Sequence, residues 1–510
     1  MKGHLSLFVF ALLITLTVCD GIPDHFQSFL ATRRRLTPEK VRRELGCRIS
    51  KDSSIFGPDD GRYADATSRW NTFSMPQIQV VVVPGKESDV SNVIKYCNEN
   101  SIEFLAVNRA HGWPDSLGSF NGIQINLANL RSIAIQPDGK SAWFGGGAYG
   151  GPVTTYLYDR GYVTTTGACD CVGLMGPGLG GGHGRHEGLY GMISDNIRQL
   201  NVVLANGKSI RVSKTSHSDL LWAMKGAGHN FGIVTSFEMN IFPRGPDTWH
   251  YRNYVWRGDK LEAVFTALNA FHNNGTTPVN MTMNQGIYLV NATVTTEEPV
   301  ISWTFAYRGT AEEAEGHLAP LNAIESVYRD SGDVPYSALA AAQATDEDSF
   351  VCQHEYFRIS ATAGLQVYNV TAERQIYESY KRRLADYPGI FIGSAFLHEG
   401  YSTAAVKAQR PEDSAYPFRD DNHLMLALVM VPPDNPSAKQ AGREWANEVK
   451  DLWNGGQPGR LAHVYVNYAR GDEPIEEVFG HEAWRLKRLR QLKAKYDPQN
   501  RFRFYNPIDV

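Results

Sequence analysis

The sequence predicts an α+β protein in which a glycine-rich first domain precedes an antiparallel sheet covered by helices. A strand, a helix and a second strand follow one another between residues 80 and 107, at the spacing of an open-sheet unit. Glycines and short strands dominate residues 105–235, and from about 250 to 455 strands alternate with long amphipathic helices. With 510 residues, 42% of them hydrophobic, the chain can build both cores.

The first domain begins with the β-branched run at 80–83, which predicts a strand. Residues 90–97 have helical spacing, and the apolar residues 103–107 predict the second strand. The strands expected beyond it lie at 142–144, 199–204 and 209–212, with an Asn206-Gly207 turn between the last two.

The second domain is expected to contain strands at 286–289, 301–307 and 424–431. Helical periodicity predicts the covering helices at 261–272, 311–328, 371–386 and 437–453. Residues 462–468 are strand-like, and a basic helix through Trp484, Leu489 and Leu492 ends before Asp497-Pro498.

Composition and the N-terminus restrict the class of protein. The 50 basic residues against 54 acidic ones leave a net charge of −4, so nothing favours a nucleic-acid partner. An apolar run at 5–18 after Lys2 and His4 predicts a signal peptide at 1–19 and a mature protein without a membrane span. A polar lead-in with three arginines at 33–35 follows over 20–69. The predicted destination is the secretory pathway and the extracellular space.

An exported chain makes its sequons and cysteines informative. Four N-x-[ST] sequons become candidate glycan sites, at Asn274, Asn280, Asn291 and Asn369. Six cysteines become five once Cys19 leaves with the signal peptide, so at least one is free or chemically committed.

The densest glycine stretch, residues 167–186, has three interpretations from its residues alone. Its G-x-G-x-x-G match at 176–181 is not followed by an amphipathic helix, which disfavours a dinucleotide fingerprint. Cys169, Cys171, His183 and His186 could form a tetrahedral metal site, although their spacings are not the common ones. In the third interpretation the glycines only make tight turns.

Seven segments, taken in order, are more specific than any of them alone. They are VVP at 82–84, AVNRAHG at 106–112, CDCVG at 169–173, YGMISDN at 190–196, WAMKGAGHNFGIVT at 222–235, YVNY at 465–468 and KYDPQNRF at 495–502. This set resembles berberine bridge enzyme-like FAD-linked oxidases, flavoproteins of the vanillyl-alcohol-oxidase type. The resemblance implies a two-part FAD-binding domain over 70–250 and 456–510, with a substrate-binding domain over 251–455.

In that family a first turn, usually R-x-G-G-H, wraps the FAD pyrophosphate with backbone N–H groups. Its histidine is commonly bonded covalently to the flavin, and His111 matches it. The chain departs from the pattern at Val107, which replaces the arginine, and at the pair that replaces the two glycines. The matching residues are Asn108, Arg109, Ala110, His111 and Gly112.

Many members attach the flavin again to a cysteine that opens a C-x-x-V-G stretch, here Cys169 with Val172 and Gly173. Cys171 would share a face with Cys169 in an extended segment, so only the family register favours Cys169. The family's N-terminal disulfide corresponds to Cys47 with Cys97 and leaves Cys171 and Cys352 unassigned.

The resemblance also implies how the rest of the site is built. Backbone near Asp195 and Asn196 would hold the flavin ring, and residues 226–234, including Gly232 and Ile233, the adenine end. Tyr468 matches a tyrosine that faces the flavin and serves as base in several members. A free tyrosine titrates near ~10, so the site would have to lower that pKa or couple the proton to hydride departure.

The sequence therefore predicts a secreted, glycosylated FAD-linked oxidase. Val172 aligns with a position of that family where a small side chain leaves room for dioxygen, so the resemblance implies an oxidase that makes hydrogen peroxide. Its motifs resemble those of the fungal group that tailors secondary metabolites by alcohol oxidation, oxidative cyclisation or dearomatisation. The C-terminal residues 502–508 are expected to fold back onto the first domain.

Three alternatives remain open at this point. A carbohydrate oxidase would use aromatic platforms on the substrate sheet, with candidates at Tyr288, Trp303, Phe305 and Tyr307. A secreted metal-dependent hydrolase would use Cys169, His183 and His186. A non-catalytic binding protein would keep the fold as a scaffold.

Overall fold

The computed structural model describes residues 36–273 and 275–509, so the predicted signal peptide and the Asn274 sequon lie outside the described residues. The first unit contains α1 (Pro38–Leu45), β1 (Ser54–Phe56), α2 (Tyr63–Thr67), β2 (Gln77–Val83), α3 (Glu87–Glu99), β3 (Glu103–Val107) and β4 (Asn121–Asn126). Its sheet has the order β1-β2-β4-β3. Strands β2 and β3 run parallel to β4, and α3 makes the crossover between them.

A second sheet continues the first domain. Its unit contains β5 (Ile133–Ile135), β6 (Ser141–Gly145), α4 (Gly150–Tyr158), β7 (Tyr162–Val163), α5 (Met175–Gly178), α6 (Glu187–Tyr190), β8 (Ile197–Val203), β9 (Ser209–Ser213), α7 (Ser218–Met224), β10 (Ile233–Asn240) and β11 (Phe242–Pro243). The five-stranded order is β5-β6-β10-β8-β9, antiparallel throughout, and β7 pairs separately with β11. Because α5 has only four residues, the G-x-G-x-x-G match opens no dinucleotide-binding helix.

The second domain is built on a seven-stranded antiparallel sheet. Its strands are β12 (Trp249–Trp256), β13 (Met281–Asn291), β14 (Thr295–Tyr307), β15 (Tyr328–Val334), β16 (Arg358–Leu365), β17 (Ala395–Gly400) and β18 (His423–Met430). Their order is β15-β12-β14-β13-β17-β18-β16. The helices are α8 (Leu261–His272), α9 (Ala311–Asn322), α10 (Leu339–Ala342), α11 (Val370–Asp386), α12 (Ala404–Lys407) and α13 (Pro436–Gly455), followed by α14 (Ile475–Phe479) and α15 (Ala483–Tyr496).

The two faces of this sheet contact different parts of the protein. Strand side chains alternate between the faces, so Tyr288 points toward helices α8, α11 and α13 and Ile287 toward the first domain. The four aromatic residues proposed as sugar platforms all belong to the buried core under the helices. They therefore cannot stack against a substrate, and the platform that the carbohydrate-oxidase alternative would use is not formed by these residues.

Two predicted elements differ from the observed ones. The helix predicted over 311–328 ends at Asn322, and from Tyr328 the chain pairs with β12 at the edge of the large sheet. Residues 462–468 form no strand; Val464 N–H donates to the Glu477 carbonyl, and residues 465–468 turn. Both differences come from partners distant in sequence, which a local pattern cannot reveal.

The C-terminal segment packs on the first domain. Arg501 donates to the Ile102 carbonyl at 2.6 Å and Arg503 pairs with Glu103 at 2.8 Å, so the chain after α15 lies along β3. Phe504 is buried beside Val81 and Phe120. Within residues 36–273 and 275–509, no helix is both long and apolar enough to cross a membrane.

Candidate active site

A deep cavity lies where the first domain, the large sheet and the C-terminal segment meet. The loop after β3 forms one wall, the glycine-rich stretch a second, and alternate residues of β13, β17 and β18 the floor. Tyr468 also lines the cavity. The predicted cofactor residues on its walls are Asn108, Arg109, Ala110, His111, Gly112, Cys169, Val172, Gly173, Gly232 and Ile233.

The loop after β3 is shaped to bind an anion. Among the described residues, the backbone N–H groups of 109–112 have no hydrogen-bond acceptor. Ala110 has φ 56°, the left-handed region that glycine normally occupies, and the turn keeps this conformation although alanine stands there. A run of free N–H groups around a left-handed residue is the arrangement that binds phosphate groups.

His111 leaves that loop with its ring inside the cavity wall. Its Nδ1 lies 2.8 Å from the Arg109 carbonyl, and its ring stacks near Trp70, with centroids 5.9 Å apart. Burial lowers the pKa of His111 to about 3. The imidazole is therefore neutral at physiological pH, the form in which it is a nucleophile.

The cysteines differ from the expected pairing. Cys171 is bonded to Cys352, while Cys47, Cys97 and Cys169 are free. The predicted Cys47–Cys97 disulfide is not formed in this structure, where Cys97 is buried in α3 and Cys47 is exposed. The Cys171–Cys352 bond leaves Cys169 as the free thiol on the cavity wall.

The proposed metal cluster does not form. Cys171 is consumed by its disulfide, and His183 bonds Glu187 Oε2 at 2.9 Å and the Tyr416 hydroxyl at 2.8 Å. His186 is buried with its ring against Tyr336. The set on which a metal-dependent hydrolase would depend is therefore dispersed.

A buried acid and a tyrosine are hydrogen-bonded to each other on the cavity wall. The Tyr468 hydroxyl donates to Glu399 Oε1 at 2.7 Å, and the Tyr401 hydroxyl donates to Oε2 at 3.1 Å. Burial raises the pKa of Glu399, although both hydrogen bonds oppose the shift. Burial and the Glu399 charge raise the pKa of Tyr468 well above its usual value, so the site does not lower it.

Sequence reasoning missed Glu399 and Tyr401. A signal was present in the sequence, because Ala395, Leu397 and Glu399 lie on one face of β17. Burying a charged carboxylate in an apolar row costs free energy unless it has a partner, so Glu399 stands out as a candidate functional residue. The motif that identified Tyr468 lies 69 residues away, and only the fold brings the two side chains together.

Asp195 and Asn196 are not among the residues that line the cavity, and the role predicted for the backbone near them in holding the flavin ring stays a prediction. Asp195 pairs with Arg419 at 2.8 Å. The Asn196 amide donates to the carbonyls of Tyr190 and Met192. Both side chains are therefore engaged by Arg419 and by the turn at 190–192, which explains their polar character without a ligand.

Comparison with known proteins identifies the family of this chain. The family described as "FAD binding domain" matches residues 78–213, and "Berberine and berberine like" matches residues 464–509. The FAD-linked oxidoreductase iacH of Pestalotiopsis fici is 49% identical, over 96% of this chain and 94% of that protein. The FAD-linked oxidoreductase anuG of Penicillium roqueforti is 50% identical, over 94% of each.

The chain belongs to the berberine bridge enzyme-like family of FAD-linked oxidoreductases. A glucooligosaccharide oxidase of Acremonium strictum has the same fold, with a TM-score of 0.77 and 19% identity over 92% of this chain and 99% of that one. That oxidase carries a 6-S-cysteinyl, 8α-N1-histidyl FAD.

The residues of this berberine bridge enzyme-like protein fit FAD. The free N–H groups at 109–112 would hold its diphosphate, and the buried Asn108 Oδ1 and His229 Nδ1, which have no partner among the described residues, would supply further polar contacts on the cavity walls. The protein is an FAD-dependent oxidoreductase, which excludes a non-catalytic scaffold.

Proposed function

We propose that this enzyme is a secreted oxidase that removes a hydride and a proton from a small organic alcohol and passes the electrons to dioxygen, giving hydrogen peroxide. FAD accepts the hydride at N5 when it is bound. The Glu399–Tyr468 pair carries the proposal, because it places a buried proton acceptor in the same cavity as the FAD-binding loops. A protein that only binds FAD does not need a buried proton acceptor.

The proton is handled by the pair and not by a standing tyrosinate. The raised pKa of Tyr468 keeps its phenol protonated. Its hydroxyl can take the substrate O–H proton only while it passes its own to Glu399, 2.7 Å away. Of the two options that the sequence analysis gave for Tyr468, this is the one in which proton transfer is coupled to hydride departure. Glu399 is the final proton acceptor.

We also propose two covalent bonds to the flavin, through His111 and Cys169. Both line the cavity, His111 is neutral, and Cys169 is the free thiol of the stretch. The oxidase of the same fold from Acremonium strictum has one cysteinyl and one histidyl bond to its FAD. Acid precipitation of the purified protein tests this, since a covalent flavin stays in the pellet.

Single and double variants assign each bond. His111→Ala and Cys169→Ala should each leave the yellow colour in the acid pellet, and the double variant should release it to the supernatant. Cys47→Ala is the matched control, because that thiol is free and exposed outside the cavity. Release of flavin from the unaltered protein would contradict both bonds.

A carbohydrate substrate is supported by solved carbohydrate oxidases of the same fold, among them the glucooligosaccharide oxidase. The structure removes the specific support for it in this chain, since Tyr288, Trp303, Phe305 and Tyr307 are core residues. A peroxide assay with saccharides and with apolar alcohols separates the two substrate classes.

Secretion and glycosylation are part of the proposal through the signal-like residues 1–19 and the sequons. Asn369 is exposed, and Asn280 and Asn291 are half-buried. The Asn369 Oδ1 accepts the Ala372 N–H and caps α11, so a glycan would have to grow from a side chain that is held in place. A mass shift after glycosidase treatment of the secreted protein tests these sites.

A further inference from the structure

The C-D-C segment places one cysteine on the cavity wall and the other against His111. Cys169 lines the cavity and its sulfur is free. The Cys171 Sγ lies 3.6 Å from Nε2 of His111, a residue that also lines the cavity. The segment turns here and is not extended, since the Val172 N–H donates to the Cys169 carbonyl at 3.4 Å. Cys171 is thus the cysteine in contact with the histidine that is proposed to bond the flavin.

The environment of Cys169 does not by itself explain why this cysteine would bond the flavin. Burial raises the pKa of the Cys169 thiol to about 12, so the protein does not favour the thiolate, which is the nucleophilic form. Cys171 is buried as well, with 2% of its surface exposed. The difference between the two is that the Cys171 sulfur is bonded to Cys352 and carries no thiol.

Cys352 and Cys171 are each held in place by contacts other than their disulfide. The carbonyl of Val351, next to Cys352, accepts the Trp70 indole N–H at 2.7 Å. The carbonyl of Cys171 accepts Nε–H of Arg109 at 3.0 Å. These bonds should keep both segments where they are when the disulfide is removed.

We propose that Cys352 determines which cysteine bonds the flavin. It commits Cys171 to a disulfide and leaves Cys169 as the only thiol among the described residues that line the cavity. The inference rests on the proposed function, in which a cysteinyl bond to the flavin forms. Without Cys352, Cys171 carries a thiol beside His111 and competes for the same bond.

The bond must be balanced in atoms and electrons. The cysteine sulfur replaces the hydrogen at flavin C6, as in the 6-S-cysteinyl FAD of the Acremonium strictum oxidase. Two electrons and two protons leave in this step, one proton from the thiol and one from C6. Dioxygen takes them and becomes hydrogen peroxide, so the oxidant is the one that the proposed oxidase already uses.

The test measures flavin attachment in a His111→Ala background, which removes the histidyl bond and the imidazole that contacts Cys171. His111→Ala/Cys169→Ala should release its flavin on acid precipitation, because Cys171 is in the disulfide. Adding Cys352→Ala should return flavin to the acid pellet, and mass spectrometry of the digested protein should locate it on Cys171.

The matched control is His111→Ala/Cys171→Ala/Cys352→Ala. It lacks the same disulfide and should carry its flavin on Cys169. The inference is overturned if this control holds covalent flavin while the variant with Cys171 as its only thiol in the segment binds FAD that acid releases. Covalent flavin in His111→Ala/Cys169→Ala, with the disulfide intact, would overturn it too.

The unaltered protein decides the question even if the Cys352→Ala variants fail to fold. Digestion without reductant should give a peptide pair linked through Cys171 and Cys352, with flavin on Cys169. A Cys169–Cys352 link with flavin on Cys171 would contradict the inference. Failure of the proposed cysteinyl bond looks different, because then His111→Ala alone would release all its flavin although Cys169 is available.

Discussion

Glu399→Gln is expected to remove most of the turnover and leave FAD bound. The amide keeps the shape of the side chain and can still meet the hydroxyls of Tyr468 and Tyr401, which lie 2.7 and 3.1 Å from the carboxylate oxygens. It cannot accept the substrate proton. A positioned base contributes about 10²- to 10⁴-fold to a rate, so flavin reduction should slow by that factor, about 3 to 5 kcal/mol of barrier.

The pH profile gives a sharper test than the rate. Burial raises the pKa of Glu399 above its ordinary 4.5, against the hydrogen bonds from Tyr468 and Tyr401. The basic form therefore appears only as pH rises through the raised pKa, and reduction should rise with it in the native enzyme and stay flat in the glutamine variant. Tyr401→Phe removes a bond that lowers this pKa, so its profile should move to higher pH.

The stability of the folded protein should fall as pH rises, whereas the rate of flavin reduction should increase. Because the folded-state pKa is raised, the contribution of this carboxyl is fully present below its unfolded pKa and is lost as pH rises through the folded one. Relative to Glu399→Gln, the native protein should therefore lose melting temperature as pH increases above 4.5. Thermal unfolding at a series of pH values measures this.

Anaerobic stopped-flow reduction of the flavin by benzyl alcohol, as a probe for a small organic alcohol, is the assay. Glu373→Gln is the matched control, since Glu373 is a buried acid on the helix side of the same sheet, bonded to His398 and Trp453. It should alter stability and leave the pH profile of reduction in place. A Glu399→Gln enzyme that reduces its flavin within threefold of the native rate, with the native pH dependence, would refute the reasoning.

Three further substitutions follow from the site. Ala110→Gly should stabilise the protein by about 1 kcal/mol, because it relieves a left-handed alanine at φ 56°, and an unchanged urea midpoint would contradict that strain. Cys352→Ser opens a link across 181 residues and should cost up to about 5 kcal/mol by the chain-entropy estimate; a midpoint as high as that of Cys47→Ser would argue against it. Val172→Leu should slow flavin reoxidation by dioxygen at least tenfold, with reduction by the alcohol unchanged as the internal control.

Local patterns were sufficient for much of the fold. The strand at Glu103–Val107 and the helix at Leu261–His272 lie where the periodicity predicts them, since a buried strand and an amphipathic helix each carry their own pattern. The helix predicted to reach 328 stops at Asn322 because β15 pairs with β12, about 80 residues earlier in the chain. Residues 462–468 have the composition of a strand, but their backbone makes only single bonds to the backbone of distant described segments, from Gly364 N–H to the His463 carbonyl and from Val464 N–H to the Glu477 carbonyl, and they form no ladder.

The sequence by itself determined the family and pointed to His111, Cys169 and Tyr468, because these positions lie in contiguous motifs, and the structure places all three on the wall of the cavity. Tertiary structure alone decided that Cys171 bonds Cys352, that Glu399 receives the Tyr468 hydroxyl, and that the aromatic residues of the sheet face its helices. Each of these depends on which distant strands become neighbours and which face they turn to the cavity. A disulfide, a proton relay and the lining of a substrate chamber are contacts between segments, and the chemistry of one segment does not specify its partner.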